Sequence, residues 1–239
     1  VNRLGPIFNV PNGSPHQREF SMPHSLKAVI FDHDGTLVNS EPVHHACWLK
    51  AIAVYNAEFS LQEYVTHLTG IPSSSSAQWI IERFNLPTEP AALYARKQAH
   101  VDEYLKTNAF PLMPHAEDLV RFCFEAGLKL AVASGAGAQE IHRSLNAHGL
   151  DRWIQVVASK NDVARNKPAP DVYQLALQRL GVAAAQAIAV EDSDVGQASA
   201  LAAALTCLRL HPSAEHPQVV GVTSLHEVGN WLRGRIDSR

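Results

Sequence analysis

Residues 26–37 read LKAVIFDHDGTL. The first six, 26–31, are a short apolar run rich in β-favouring residues. The run stops abruptly at Asp32-His33-Asp34-Gly35, where the glycine marks a turn. A buried strand thus hands two acids to the loop at its carboxyl end. Downstream, residues 42–56 carry Ala46, Trp48, Leu49, Ile52 and Ala53 at helical spacing. Further helices are expected over 60–68, 75–85 and 89–107. Gly70-Ile71-Pro72 and Asn85-Leu86-Pro87 supply the breaks, and no strand pattern interrupts this stretch.

The texture changes after Pro111 and Pro114. A helix over 115–126 runs to Gly127, and the apolar strand LKLAVAS (128–134) follows. A second helix, 138–148, ends at Gly149 and precedes the strand IQVVAS (154–159). A third, 170–180, ends at Gly181 before AIAVE (187–191). A helix over 195–204 and the strand LTCLRL (205–210) complete the series. Glycine just past each helix is the usual left-handed stop. Strands alternating with helices of this length imply right-handed βαβ units. Near-continuous apolar strands imply a parallel sheet covered on both faces. The fold class is therefore α/β. A parallel-sheet core is expected over 25–40 and 111–239, with an inserted helical domain over 41–110. Residues 1–24 show no periodic pattern and lack the basic start and apolar stretch of a signal peptide. They are expected to be a poorly structured extension, with Met22 as a candidate natural start.

Composition narrows the function classes. The chain has 239 residues and 46% hydrophobic content, enough for a sizeable core with a smaller partner. A formal net charge of -3 with 18% charged residues gives no sign of a nucleic-acid or membrane surface. Cys47, Cys123 and Cys207 are far apart and odd in number, which speaks against disulfides or a zinc knuckle. They read as reduced thiols, the pattern of a cytoplasmic protein. No apolar run reaches bilayer-spanning length. Nothing in the design requires more than a monomer.

Ligands of open α/β sheets bind beyond the carboxyl ends of the strands. The first strand delivers Asp32 and Asp34, the second Ser134 and Gly135. The loop after the third carries Lys167, and the fourth delivers Glu191 and Asp192. Clustered carboxylates repel one another unless a cation joins them. Mg2+ suits such a set, because it binds one or two carboxylates plus water and phosphate oxygens. Asp32 and Asp192 are the natural side-chain ligands, Asp34 adds a backbone carbonyl, and Glu191 holds a metal-bound water. A carboxylate also serves as nucleophile. Asp32 fits that role, and Asp34, two residues on, fits a general acid and base. Lys167 balances charge, while Ser134 and neighbouring N–H groups hold phosphate oxygens.

These motifs resemble the haloacid dehalogenase superfamily. DHDGTLVNSE resembles its first motif, D-x-D-G-T; Ser134 its second; Lys167 in KPAPD its third; Glu191-Asp192 its fourth. The resemblance covers about residues 26–210. It implies a Rossmann-like core and a mobile helical cap of the β-phosphoglucomutase-like and phosphoglycolate phosphatase-like branch. It also implies an aspartyl-phosphate on Asp32, Asp34 as acid and base, and metal positions at Asp32, Asp34 and Asp192. Asn39 and GQASALAAAL (196–205) depart from the pattern without touching these residues.

Plainer readings compete for several positions. D-x-D-G alone is also a turn, Ser134 is a candidate N-cap for the next helix, and Asp194 a first-turn acid. Ser134-Gly135-Ala136-Gly137 has a dinucleotide-like G-x-G, but Glu140 stands where a third glycine is required. His44 and His45 point in different directions on one helix and make a poor metal pair. His44, Gly70 and Lys97 are substrate-contact candidates in the inserted helices. The expected activity is a phosphatase acting on a small phosphorylated metabolite of sugar-phosphate or phosphoglycolate type. A β-phosphoglucomutase-type mutase is the nearest alternative. It is weakened because relatives place an arginine soon after the loop glycine, where this chain has Ile71, Pro72 and four serines. Dehalogenation is disfavoured by Asp34, and a non-catalytic binding role by the complete set of charged groups.

Overall fold

The computed structural model describes residues 26–69, 71, 73–212 and 216–236. Gly70 and residues 1–24 therefore lie outside the described residues. Among the described residues, six parallel strands run in the order β3-β2-β1-β4-β5-β6. They are β1 (Ala28–Phe31), β2 (Lys129–Ala133), β3 (Val156–Ala158), β4 (Ala187–Glu191), β5 (Thr206–Leu210) and β6 (Val219–Val222). Chain order reverses beside β1, which lies between β2 and β4. The loops after these three strands thus open into one crevice.

Side chains alternate across each strand, so one strand feeds two cores. Val29 and Phe31 of β1 join one cluster, with α5 (Ala116–Glu125), α6 (Ala138–Ala147) and α9 (Leu225–Ile236). Ala28 and Ile30 join the other, with α7 (Asp171–Leu180) and α8 (Asp194–Ala202). All four β1 residues are fully buried. Each large apolar side chain placed this way contributes about 1.5–3 kcal/mol. The sheet is therefore covered on both faces, as the apolar strands require.

Four helices follow β1: α1 (Glu41–Ile52), α2 (Leu61–His67), α3 (Ser73–Phe84) and α4 (Pro90–Tyr104). They enclose a third cluster that includes Trp48, Ile52, Phe59, Ile80 and Leu93. Ser60 and Glu63 form a reciprocal capping box at the start of α2. The two chain passages linking these helices to the sheet lie side by side. Asn39 N–H donates to Pro111 O at 2.7 Å, and Met113 N–H to Leu37 O at 2.9 Å. Asn39, one of the departures from the family pattern, thus makes a backbone contact there. No helix among the described residues is long and apolar enough to cross a membrane.

Two differences from the sequence reading have physical reasons. The helix expected over 42–56 is α-helical only to Ile52. It finishes in a 3-10 turn, Ala53–Tyr55, stopped by Asn56 in the left-handed conformation. Asparagine visits that region readily. The second difference is that β6 and α9 extend the core beyond the expected last strand. The strand VVGV is short and holds a glycine, and α9 carries Gly229 and Gly234 inside its apolar pattern. Both features weaken a periodic signal.

Candidate active site

Asp32 follows β1 directly, and its N–H donates to Val190 O of β4 at 2.9 Å. The neighbouring strand thus fixes its backbone. Lys167 arrives from the loop between β3 and α7. Its ammonium donates to Asp32 Oδ1 and to Glu191 Oε1, each at 2.6 Å. Tyr173 Oη donates to the same Glu191 oxygen at 2.7 Å. All four groups are buried. Glu191 Oε2 receives the Asp192 N–H and the Ser193 hydroxyl, each at 3.3 Å. Ser193 also caps α8 through the Gly196 N–H. Asp194 lies in the first turn of that helix, 3.3 Å from Arg209.

Two glycines make this cluster possible. Gly35 has φ +76°, and a Cβ there would collide with the Asp192 carboxylate. A Cβ at Gly196 would collide with Glu191 Oε2. Either position needs hydrogen in place of a methyl so that backbone and carboxylate can meet.

The electrostatics are unbalanced. Asp32, Glu191 and Asp192 each offer an oxygen within 4.8 Å of the others. Lys167 is the cation bonded among them. Burial, and then Glu191, push the Asp32 carboxyl up to about 7, although Lys167 pulls the other way. Burial, and then the charges of Asp32 and Glu191, hold the Asp192 carboxyl well above its usual range. Burial works against the Lys167 ammonium, but Asp32 and Glu191 outweigh it and raise its pKa. Two buried carboxylates and the half-buried Asp192, with one ammonium among them, are an all-oxygen set short of positive charge. That donor set fits a hard divalent cation.

A second cluster stands beside the first. Asp34 Oδ2 lies 3.3 Å from His33 Nδ1, and Asp34 Oδ1 lies 3.6 Å from His44 Nε2. Burial pushes the Asp34 carboxyl up, but the two imidazoles outweigh it and hold it well below the usual range. His33 is fully buried with its ring edge-on to Phe110. Burial opposes its protonation, yet Asp34 raises its pKa. His44 also lies 3.5 Å from Glu140 Oε1. Lys97 Nζ approaches His44 Nδ1 at 3.1 Å. An ammonium has no acceptor, so Nδ1 accepts and the proton sits on Nε2, facing the carboxylates. Burial pulls the Lys97 ammonium down. The two adjacent histidines diverge: His45 turns away to bond Phe59 O at 2.8 Å.

A cavity of about 430 Å³ joins the clusters, within the range of roughly 300–1,000 Å³ for small-molecule sites. Its lining brings together Asp32, Asp34, Ser134, Gly135, Lys167 and Asp192 from the sheet side, with His44 and Lys97 from the helices. Glu191 does not line it but bonds Lys167, which does. Ser134 requires a correction. It does not cap α6, whose N-cap position is Gly137; its Oγ accepts the Ala136 N–H at 3.0 Å instead. The helix begins only at Ala138, past the reach of the serine.

The sequence reading passed over several residues of the site. Tyr173 locks Glu191, and Asn166 Nδ2 donates to Gly135 O at 3.4 Å. Glu140 entered only as a mismatch to a glycine. Yet α6 buries Glu140, Ile141, Ser144 and Leu145 on one stripe. An acid on the apolar stripe of a first helical turn was a readable signal. His33, a titratable residue between two acids, was another.

A family model described as haloacid dehalogenase-like hydrolase matches residues 29–210, well over half the chain. The chain belongs to that family. It is 33% identical over 178 residues to the fructose-1-phosphate phosphatase YqaB of Escherichia coli, covering 74% of this chain and 92% of that protein. It is 33% identical over 190 residues to protein CbbY of Rhodobacter capsulatus, covering 75% and 83%. A solved structure of CbbY from Rhodobacter sphaeroides in complex with phosphate matches with a TM-score of 0.72 at 27% identity. That match covers 85% of this chain and 96% of the other. Among the named relatives are several phosphatases, the enzyme class expected from the sequence for this haloacid dehalogenase-family chain.

Proposed function

We propose that this chain is a Mg2+-dependent phosphatase of small phosphorylated sugars, working through an aspartyl-phosphate on Asp32. One observation carries the reading. Asp32 sits at a sheet edge with Lys167 on one oxygen and two further carboxylates beside it, facing a cavity of metabolite size. The named activities of the relatives support the substrate class.

Asp32, Asp192 and the backbone carbonyl of Asp34 would hold the cation, with Glu191 close enough to fix a bound water. The cation's part is to neutralise charge between the carboxylates and the phosphoryl oxygens. The chain's own groups do the rest. Lys167 takes up one Asp32 oxygen and orients the carboxylate; the other oxygen attacks phosphorus. The Asp32 O–P bond forms as the ester P–O bond breaks. Asp34, held as a carboxylate beside His33, passes to the departing alkoxide a proton drawn from that imidazolium. The same carboxylate then accepts a proton from the water that attacks phosphorus, the Asp32 O–P bond breaks, and inorganic phosphate leaves. Ser134 and the Gly135 N–H bind phosphoryl oxygens.

In this reading residues 41–110 act as a cap over a core formed by 25–40 and 111–239. The paired passages at Asn39 and Pro111 are the natural bending point. Closure would bring His44 and Lys97 over the leaving group and keep bulk water out. The deciding experiment is release of inorganic phosphate from a panel of sugar phosphates with Mg2+, using Asp32→Asn as the blank. Release by the parent protein alone supports the reading. Equal release by the variant, or none from any ester, contradicts it.

A further inference from the structure

We infer that Glu140 is the specificity-determining acceptor of this site, selecting a neutral leaving group rich in hydroxyls. The inference rests on the phosphatase reading and deepens it. Glu140 comes from α6 of the sheet layer, whereas the cavity wall it joins comes largely from α1 and α4. Its side chain is only 6% exposed, yet it lines the cavity. A buried carboxylate needs donors for about four lone-pair positions. Glu140 has two long contacts: Gln98 Nε2 at 3.3 Å on Oε2 and His44 Nε2 at 3.5 Å on Oε1. Both exceed the usual 2.7–3.2 Å of an N–H···O bond, and His44 divides its N–H between Glu140 and Asp34. The carboxylate is held but under-supplied, and it faces the space a leaving group occupies.

The charges around it define what fits. Glu41 and Glu140 are the acids of this wall, and Lys97 and Lys160 its bases. Each already has a neutral or shared partner. Tyr64 Oη donates to Glu41 at 2.5 Å. Lys160 donates to Tyr94 Oη at 2.8 Å and lies over its ring. Lys97 donates to His44. The wall is balanced, two acids against two ammoniums, so it offers no surplus positive charge to a second phosphate or a carboxylate on the leaving group. Hydroxyls meet Glu140 as donors, each completing a bond to a charged acceptor. A sugar or sugar alcohol phosphate satisfies the wall; an alkyl phosphate of the same length leaves it unpaired.

The test measures kcat/KM for a hexitol phosphate and a straight-chain hexyl phosphate, with an aryl phosphate as a general ester. The parent protein, Glu140→Leu and Glu140→Gln are compared. The parent is expected to favour the hexitol ester. In Glu140→Leu the hexitol-to-hexyl ratio falls about 10–100-fold, the loss expected for bonds to a charged acceptor. In Glu140→Gln, which keeps shape and one acceptor oxygen, it falls less; this near-isosteric variant preserves the test if the leucine variant does not fold. A parent protein without the preference, or variants that slow both esters equally, would overturn the inference. Equal slowing would mean that Glu140 merely positions His44. Aryl phosphate turnover separates the two failures: present without hexitol preference, only this inference falls; absent in the parent protein, the phosphatase reading falls with it.

Discussion

The two acidic clusters differ in how they are held. Asp32 and Glu191 stand at strand ends, where Lys167 from a loop and Tyr173 from α7 bond to them at 2.6–2.7 Å. Asp34, His44 and Glu140 meet where helices approach the sheet, at 3.5–3.6 Å. The first is fixed by backbone already paired in the ladder and by two glycines that admit carboxylates. The second depends on side chains from α1, α4 and α6, which must come together. Chemistry common to a family belongs on the rigid edge, and recognition that varies belongs where elements can shift.

Breaking the rigid cluster is expected to have the largest effects. Asp32→Asn should lower phosphate release by on the order of 10³-fold or more with circular dichroism unchanged. In the second cluster, Asp34→Asn should slow release by about 10²–10⁴-fold, the range of general acid–base catalysis, as read by steady-state kinetics. Lys167→Met leaves two buried carboxylates without their counter-ion. Urea unfolding in chelator should show a loss of about 3–5 kcal/mol, whereas His44→Ala, with its longer contacts, should cost clearly less. Equal losses would erase the contrast between the clusters.

Metal linkage sharpens the same comparison. Mg2+ at a hundredfold excess over its Kd should add about 2.7 kcal/mol to unfolding, and a chelator should remove it. Asp192→Asn should abolish this gain and Glu140→Gln should keep it, which places the ion in the first cluster. The smallest effect belongs to a carboxylate outside both. The Ser159 hydroxyl and Arg179 hold the Asp162 carboxyl at about 2, below its ordinary 3.8. A depressed folded pKa contributes stability above the ordinary value and loses it as pH falls through about 2. Asp162→Ala should therefore cost about 1–2 kcal/mol near neutrality. The gap to the parent should close below about pH 2 in denaturant titrations.

The contrast also explains what could be read beforehand. The strand-end residues Asp32, Ser134, Lys167, Glu191 and Asp192 were legible because a parallel sheet sends every strand end to one edge, so sequence order suffices. The helical insertion was legible from periodicity. Glu140 and Gln98 were not, because their meeting depends on how α4 and α6 face each other, which no local pattern encodes. His33 was hidden by the motif itself, whose middle position carries no assigned role. β6 and α9 were missed because glycines interrupt their apolar pattern. The competing reading of Ser134 as a cap fails because α6 begins only at Ala138, with Gly137 at its N-cap.

The central claim is the covalent step on Asp32. Its most direct test is mass spectrometry of the Asp32-containing peptide after acid quenching during steady-state turnover with Mg2+ and a sugar phosphate. The account predicts that this peptide gains one phosphoryl group during turnover and loses it once substrate is consumed, with no gain in Asp32→Asn. Sustained turnover with that peptide unmodified, or a phosphoryl group found on another residue, would contradict it.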